Sequence, residues 1–320
     1  VQFYWRRVLC YGFNCFVTLQ LTVKDKYNRE IYSIFNEKNT MKKILILTVL
    51  MLFSVLTFAQ LPTSTVPLPP DIAAIKKKNV LIIAMTKKDV PPFFSGDAEN
   101  IRGLDVEIAR RIGVLIGVPV EFRRDAESFA EVVEQVRDGR ADLAVSKLSI
   151  TGPRLHTVRF SDPYVKLKQA MIINRLWLSQ NSQGREVYEV LRTFNGKISF
   201  IKNSSYDTFA RTNFPKAVYT PEESWDTIIN NVTNGKIAAG YRDEFEIKKI
   251  SFEKPEAAIT TKTVTISDSI DNIAVAVNIN SLQLLSIVNY VIKNEYSNID
   301  TKKLMDRYKA EKKPVAPVTK

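Results

Sequence analysis

Val80–Met85 reads VLIIAM, six apolar residues with no polar interruption. A strand with one wet face alternates apolar and polar residues. An unbroken run instead predicts a strand covered on both faces, as in a parallel sheet with helices above and below. The next segments supply such helices. In LDVEIARRIGVLIG, Val106, Ala109, Ile112 and Leu115–Ile116 recur at helical spacing. VPVEFR then predicts a second strand, SFAEVVEQVRDG a helix with a Ser128 cap and a Gly139 stop, and ADLAVS a third strand. A β-α-β-α-β order implies a parallel sheet with right-handed crossovers.

The same order recurs from Gly196. KISFI predicts a strand, and SSYDTFARTNF opens with serines suited to a helix N-terminus. AVYT predicts a short strand, PEESWDTIINNVTNG a helix with Pro221 at its start, and KIAAGY a strand. NIAVAVN adds one more strand, and helices over 281–294 and 300–310 close the chain. The expected fold is therefore α/β, two Rossmann-like lobes with a ligand cleft and a hinge. In open α/β sheets ligands bind at the carboxyl ends of the strands. Residues 79–168 with 275–310 are expected to form lobe 1, and 169–274, with the hinge strands, lobe 2. Residues 60–78 read as a flexible Pro/Thr/Ser-rich leader and 311–320 as a disordered tail.

The N-terminal region has a different character. Met41-Lys42-Lys43, the apolar stretch from Ile44 and the Thr57-Phe58-Ala59 site before Gln60 have the form of a cleavable signal peptide over 41–59. The apolar stretch is short for a membrane span, although an uncleaved anchor is the alternative. Residues 1–40 then read as an upstream extension, with Met41 as initiator. Cys10 and Cys15 both precede Met41, so from Gln60 onward no disulfide, thiolate nucleophile or Cys-zinc site is available. The whole chain carries 46 basic and 34 acidic residues, +12. Residues 1–59 hold eight of the basic and three of the acidic ones, which leaves 38 against 31, or +7. The lysines are scattered and no basic run alternates with aromatics, so nucleic acid is not the expected partner. His156, the single histidine, has no partner cluster, and no P-loop or nucleophile elbow appears. Neither a metal nor a cofactor is expected. No cysteine follows the cleavage site, so no lipid anchor is expected and the periplasm is the expected location.

Seven short motifs now stand in order: PPF at 91–93, GLDVEIA at 103–109, DGRADLAVSKLSIT with Arg154, VRFSDPY at 158–164, GKISFIKNSS at 196–205, NGKIAAGYRDE at 234–244 and NIAVAV at 272–277. Together they resemble the extracytoplasmic solute-binding proteins of polar amino-acid uptake systems, family 3, with the type II periplasmic-binding fold. The ligand-binding cores of ionotropic glutamate receptors share that fold. The resemblance spans 79–310. It implies a monomeric, non-enzymatic protein that binds an amino acid or dicarboxylate and delivers it to an ABC permease.

The resemblance also implies residue roles. Arg154 falls on the arginine that grips a ligand carboxylate, and a guanidinium fork suits that task. Ser149 and Thr151 match the rest of the carboxylate cradle. Ser204 and Ser205 open a lobe-2 helix whose free N–H groups favour an anion. Asp243 matches the acid that holds the ligand ammonium from lobe 2, and Phe129 a pocket aromatic. The alternative for Asp243 is a cap on the helix that follows, Phe129 reads equally as a core residue of its amphipathic helix, and Phe93 reads as packing. Several positions depart from the family pattern, among them Gly152-Pro153 in place of the usual polar pair before the arginine. Lys147 stands where Gly or Ser is usual, Lys87 where binders of basic amino acids can carry an acid, and Val90 replaces a stacking aromatic. Lys147 and Lys87 predict a positive pocket and an acidic ligand, unless Lys147 pairs with Asp243 or points outward. Two other functions fit the same fold: a periplasmic enzyme of the cyclohexadienyl dehydratase kind, with acids such as Glu244 as candidates, and a sensory ligand-binding module.

Overall fold

The computed structural model describes residues 67–97 and 99–312. The expected extension and signal peptide lie outside these residues. Two five-stranded sheets organise the rest. The first contains β1 (Leu81–Thr86), β2 (Val120–Ala126), β3 (Leu143–Ala144), β4 (Val158–Phe160) and β10 (Ala276–Asn278), in the order β2-β1-β3-β10-β4. The second contains β5 (Val165–Asn174), β6 (Lys197–Ser199), β7 (Val218–Tyr219), β8 (Ala239–Asp243) and β9 (Thr261–Ile273), in the order β7-β6-β8-β5-β9. The three strands predicted to open each lobe pair in parallel. The strands that arrive from the other half of the chain, β10 in the first sheet and β5 and β9 in the second, run antiparallel.

VLIIAM explains itself in this setting. Leu81, Ile83 and Met85 enter one apolar cluster, and Ala84, from the opposite face, enters another. The first cluster is covered by α1 (Pro70–Lys78), α2 (Leu104–Ile116) and α11 (Leu282–Val291), the second by α3 (Phe129–Arg137). The second sheet is likewise packed on both faces. Ser128 caps α3 by accepting from the Glu131 N–H at 3.2 Å.

Several expectations need correction. Residues 70–78 are not a flexible leader but helix α1, because Ile72 and Ile75 bury against lobe 1. The helix expected to start at Pro221 starts at Trp225, capped by Ser224 (α8, Trp225–Thr233). The final helix, α12 (Thr301–Lys312), runs into the expected disordered tail as far as Lys312. Glu311 and Lys312 are thus helical, while 313–320 lie outside the described residues. The 281–294 helix becomes a π-turn at Ile292–Tyr296. Unpredicted helices are α4 (Gly152–Leu155), α5 (Arg175–Ser182), α6 (Val187–Arg192) and α10 (Ala257–Thr260). The two remaining helices are α7 (Ser205–Asn213) and α9 (Glu244–Glu253).

The lobes are joined where β5 and β9 leave the second sheet. Val165 pairs with Ile273, the Ile150 N–H donates to the Asn272 carbonyl at 2.9 Å, and the Ala274 N–H donates to the Leu148 carbonyl at 2.9 Å. The SKLSIT segment therefore hydrogen-bonds directly to the hinge.

Candidate functional site

The site begins at the carboxyl end of β3. Lys147 follows it with φ 47°, the left-handed region that residues with a Cβ seldom adopt. Its N–H donates to Asp105 Oδ2 at 2.7 Å, and the other oxygen of Asp105 accepts from the Tyr164 hydroxyl at 2.7 Å. One buried carboxylate thus ties together GLDVEIA, SKLSIT and SDPY. Burial raises the Asp105 carboxyl to about 6 against the pull of both hydrogen bonds.

The Lys147 side chain crosses the cleft. Its Nζ donates to Asp243 Oδ2 at 2.9 Å and to Glu246 Oε1 at 2.8 Å, both on lobe 2. The same nitrogen lies 5.1 Å from the Phe93 ring centroid and 5.5 Å from that of Phe245. The pairing alternative is thus the one observed, and Lys147 adds no unpaired charge to the cleft. Lys87, by contrast, does not line the cleft: it is exposed and pairs with Glu127 at 2.9 Å. Glu246 also receives Lys249 at 3.1 Å and Arg242 at 3.6 Å. Burial alone would raise its carboxyl, but Arg242, Lys147 and Lys249 outweigh it and hold the group well below the usual carboxylate range.

On the other side of the site, Arg154 Nη1 donates to the Ser149 carbonyl at 2.9 Å. Among the described residues no carboxylate lies within ion-pair distance of its guanidinium. Burial pulls the Arg154 pKa down to about 10, and the charge of Asp271 opposes that only in part. The Ser149 hydroxyl meets the Ser205 hydroxyl of lobe 2 at 2.8 Å. Ser204 caps α7, accepting from the Tyr206 N–H at 3.3 Å.

Lys147, Ser149, Arg154, Ser204, Ser205 and Asp243 line one small cavity, about 30 Å³, together with Phe129. Thr151 is buried but does not line it; it stands at the N-terminus of α4. Asp243 caps α9, the alternative role expected of it, by accepting from the Glu246 N–H at 3.0 Å, while its other oxygen accepts from Lys147. A cavity of this size holds a water or one small polar group rather than a whole amino acid. Outside it lies a second cavity of about 350 Å³, whose walls include Val90, Trp225, Ile229, Ile250 and Lys249. Phe129, Ile201 and Arg242 line both cavities.

Sequence reasoning missed Asp271, Tyr206 and Glu246. Asp271, on β9, lines the small cavity. Its Oδ2 accepts from the Tyr206 hydroxyl at 3.1 Å, and its buried Oδ1 has no hydrogen-bond partner among the described residues. Burial and then the neighbouring Asp243 charge raise Asp271 to about 6. Glu244, the acid named from sequence, is absent from both cavities. It binds Thr301 and Lys248, and its carboxyl lies below the usual range because these partners outweigh the effect of burial.

Comparison with known proteins places this architecture. A relative from Escherichia coli (strain K12), whose name assigns it to arginine binding for an ABC transporter, is 24% identical over 185 residues, covering 57% of this chain and 71% of that protein. The solved amino acid ABC transporter substrate-binding protein AbpA of Streptococcus pneumoniae, bound to L-arginine, superposes with a TM-score of 0.59 at 25% identity, covering 76% of this chain and 100% of that one. An ancestral amino acid-binding protein, AncCDT-1, described as a precursor of cyclohexadienyl dehydratase, gives 0.57 at 21% identity, covering 74% and 98%. The family model of bacterial extracellular solute-binding proteins, family 3, matches residues 81–311. The chain belongs to the bacterial extracellular solute-binding proteins, family 3.

Proposed function

We propose that this protein is the periplasmic solute receptor of an ABC uptake system, and that its ligand is a small polar solute, in the range from amino acids to dicarboxylates, held through a carboxylate by Arg154. The observation that carries the reading is the Arg154 guanidinium. It is partly buried in the cleft wall with no carboxylate in ion-pair reach among the described residues, and the N-terminus of α7 opens onto the same cavity. A desolvated, unpaired cation is costly, and a ligand carboxylate relieves it through charge-assisted hydrogen bonds. The names of the relatives, arginine binders among them, support an amino-acid-like solute.

A thermal-shift screen of amino acids and dicarboxylates tests this reading. A true ligand at a hundred times its Kd adds about 2.7 kcal/mol of stability. Arg154→Ala abolishes that gain. A ligand that stabilises the wild type and the Arg154→Ala protein equally rules out the assignment.

A second reading has one observation in its favour. Asp271 is a buried cleft acid raised to about 6, the property a general acid needs, and a structural neighbour is described as a precursor of a dehydratase. Turnover of cyclohexadienyl amino acids, lost in Asp271→Asn, would establish the enzyme. Binding without turnover leaves the receptor.

A further inference from the structure

Lys147 occupies a receptor for an ammonium group that the protein builds from both lobes. Two carboxylates, Asp243 and Glu246, accept from its Nζ at 2.9 and 2.8 Å. Two aromatic rings, Phe93 and Phe245, close in from the sides. Carboxylates combined with ring faces are how proteins recognise alkylammonium ions. The lysine backbone is held at φ 47°, although Gly carries that conformation without steric cost. Such an outlier persists only where its surroundings over-determine it. Here the Asp105 bond to the backbone and the cage around the side chain do so.

At the end of the site that Lys147 fills, a ligand ammonium meets carboxylates already claimed. Asp243 is paired with Lys147, and Glu246 serves Lys147, Lys249 and Arg242. Asp271 lines the small cavity together with Arg154 and accepts from the Tyr206 hydroxyl there, and the outer cavity's Asp89, Glu127, Glu223, Asp226 and Glu253 are each ion-paired. Of the cations lining the small cavity, Lys147 and Arg242 have carboxylate partners, and Arg154 has none among the described residues. The small cavity has the size of one charged group, and the outer cavity of about 350 Å³ falls in the volume range of small-molecule sites.

From this arrangement we infer that Lys147 substitutes internally for a ligand ammonium, so that the preferred solute is a carboxylic acid without an α-amino group. Its carboxylate lies at Arg154 and its body extends past Phe129 into the outer cavity. The inference rests on the Arg154 reading above and narrows its ligand class.

Calorimetric titration of the full chain with matched pairs tests it: 2-oxoglutarate against glutamate, phenylpyruvate against phenylalanine, and 2-oxo acids against arginine. The wild type is expected to bind at least one oxo acid about tenfold or more tighter than its amino partner. Lys147→Ser and Lys147→Gly, the second matched to the left-handed backbone, are expected to shift the preference at least tenfold toward the amino acid. The wild-type comparison stands even if both variants fail to fold. An amino acid that binds the wild type as tightly as its oxo partner overturns this inference alone, as does an unchanged preference in a folded variant. Binding of no carboxylate of either kind overturns the Arg154 reading as well.

Discussion

Asp271 shows how a single residue can carry a cleft's pH response. Its carboxyl is raised to about 6 in the folded protein, first by burial and then by Asp243, while an unfolded Asp titrates near 3.9. A raised folded pKa means that the native state binds the proton more tightly than the unfolded state. The stabilising contribution is therefore full below about pH 4 and is lost as the pH rises through about 6. Asp271→Asn removes the ionisation and keeps an oxygen for the Tyr206 hydroxyl. The difference in stability, variant minus wild type, is expected to grow by roughly 2 kcal/mol between pH 4 and pH 7. Asp105 and Glu246 titrate in both proteins and largely cancel. Urea unfolding at the two pH values checks this, and a difference that stays constant would show that Asp271 is not the titrating group. At this scale the sequence was partly legible. Asp243 ends β8, Lys147 and Ser149 follow β3, and Arg154 lies in the short helix α4 beyond them, all within short and distinctive motifs. Asp271 stands in the polar segment TKTVTISDSIDNI, and no local pattern separates it from the solvated Asp268 three residues earlier.

At the scale of elements, the predicted parts are those with a strong local signal. VLIIAM alternates between two cores, and α3 has an amphipathic face and a Ser cap. The strands β5 and β9 were not read as strands, for opposite reasons. β9 is an edge strand with alternating exposure and few apolar residues, and the buried run of β5 begins with two lysines that point outward. Both are held by pairing with distant chain, which no window of sequence reveals. The start of α2 is set by Gly103 at φ 124°, where an added Cβ would lie 2.4 Å from the Phe93 carbonyl oxygen. This explains the glycine that precedes Leu104-Asp105. Gly103→Ala is expected to destabilise the protein by about 3 kcal/mol, because neither backbone can yield without displacing Phe93 from the cage. Ser128→Ala, which removes only a cap, is expected to cost about 1 kcal/mol. Denaturation midpoints of the two variants side by side test the ranking; equal losses would contradict it.

Across the whole molecule, the protein's own side chains bridge the cleft. Lys147 reaches Asp243 and Glu246, Ser149 reaches Ser205, and the Phe93 ring packs edge-on against Phe245 at 6.0 Å. Phe245 continues to Tyr308 at 6.1 Å, so α12 joins the same apolar chain. Hinged receptors close because ligand contacts both lobes, and the ligand shifts the equilibrium only by its differential affinity for the two states. Where internal contacts already favour closure, less of the ligand's binding free energy goes into moving the lobes. Phe245→Leu tests this division. It keeps an apolar residue of similar volume, so the fold is expected to lose less than about 1.5 kcal/mol. It removes the ring that faces both Phe93 and the Lys147 ammonium. Small-angle scattering of the ligand-free variant is expected to give a larger radius of gyration than the wild type, and added ligand to restore the compact value. Ligand affinity falls in step, since part of the binding free energy now goes into closing the lobes. A variant with wild-type scattering and wild-type affinity would mean that the Phe93–Phe245–Tyr308 contacts do not govern closure, leaving the Lys147 pairs as the interlobe latch.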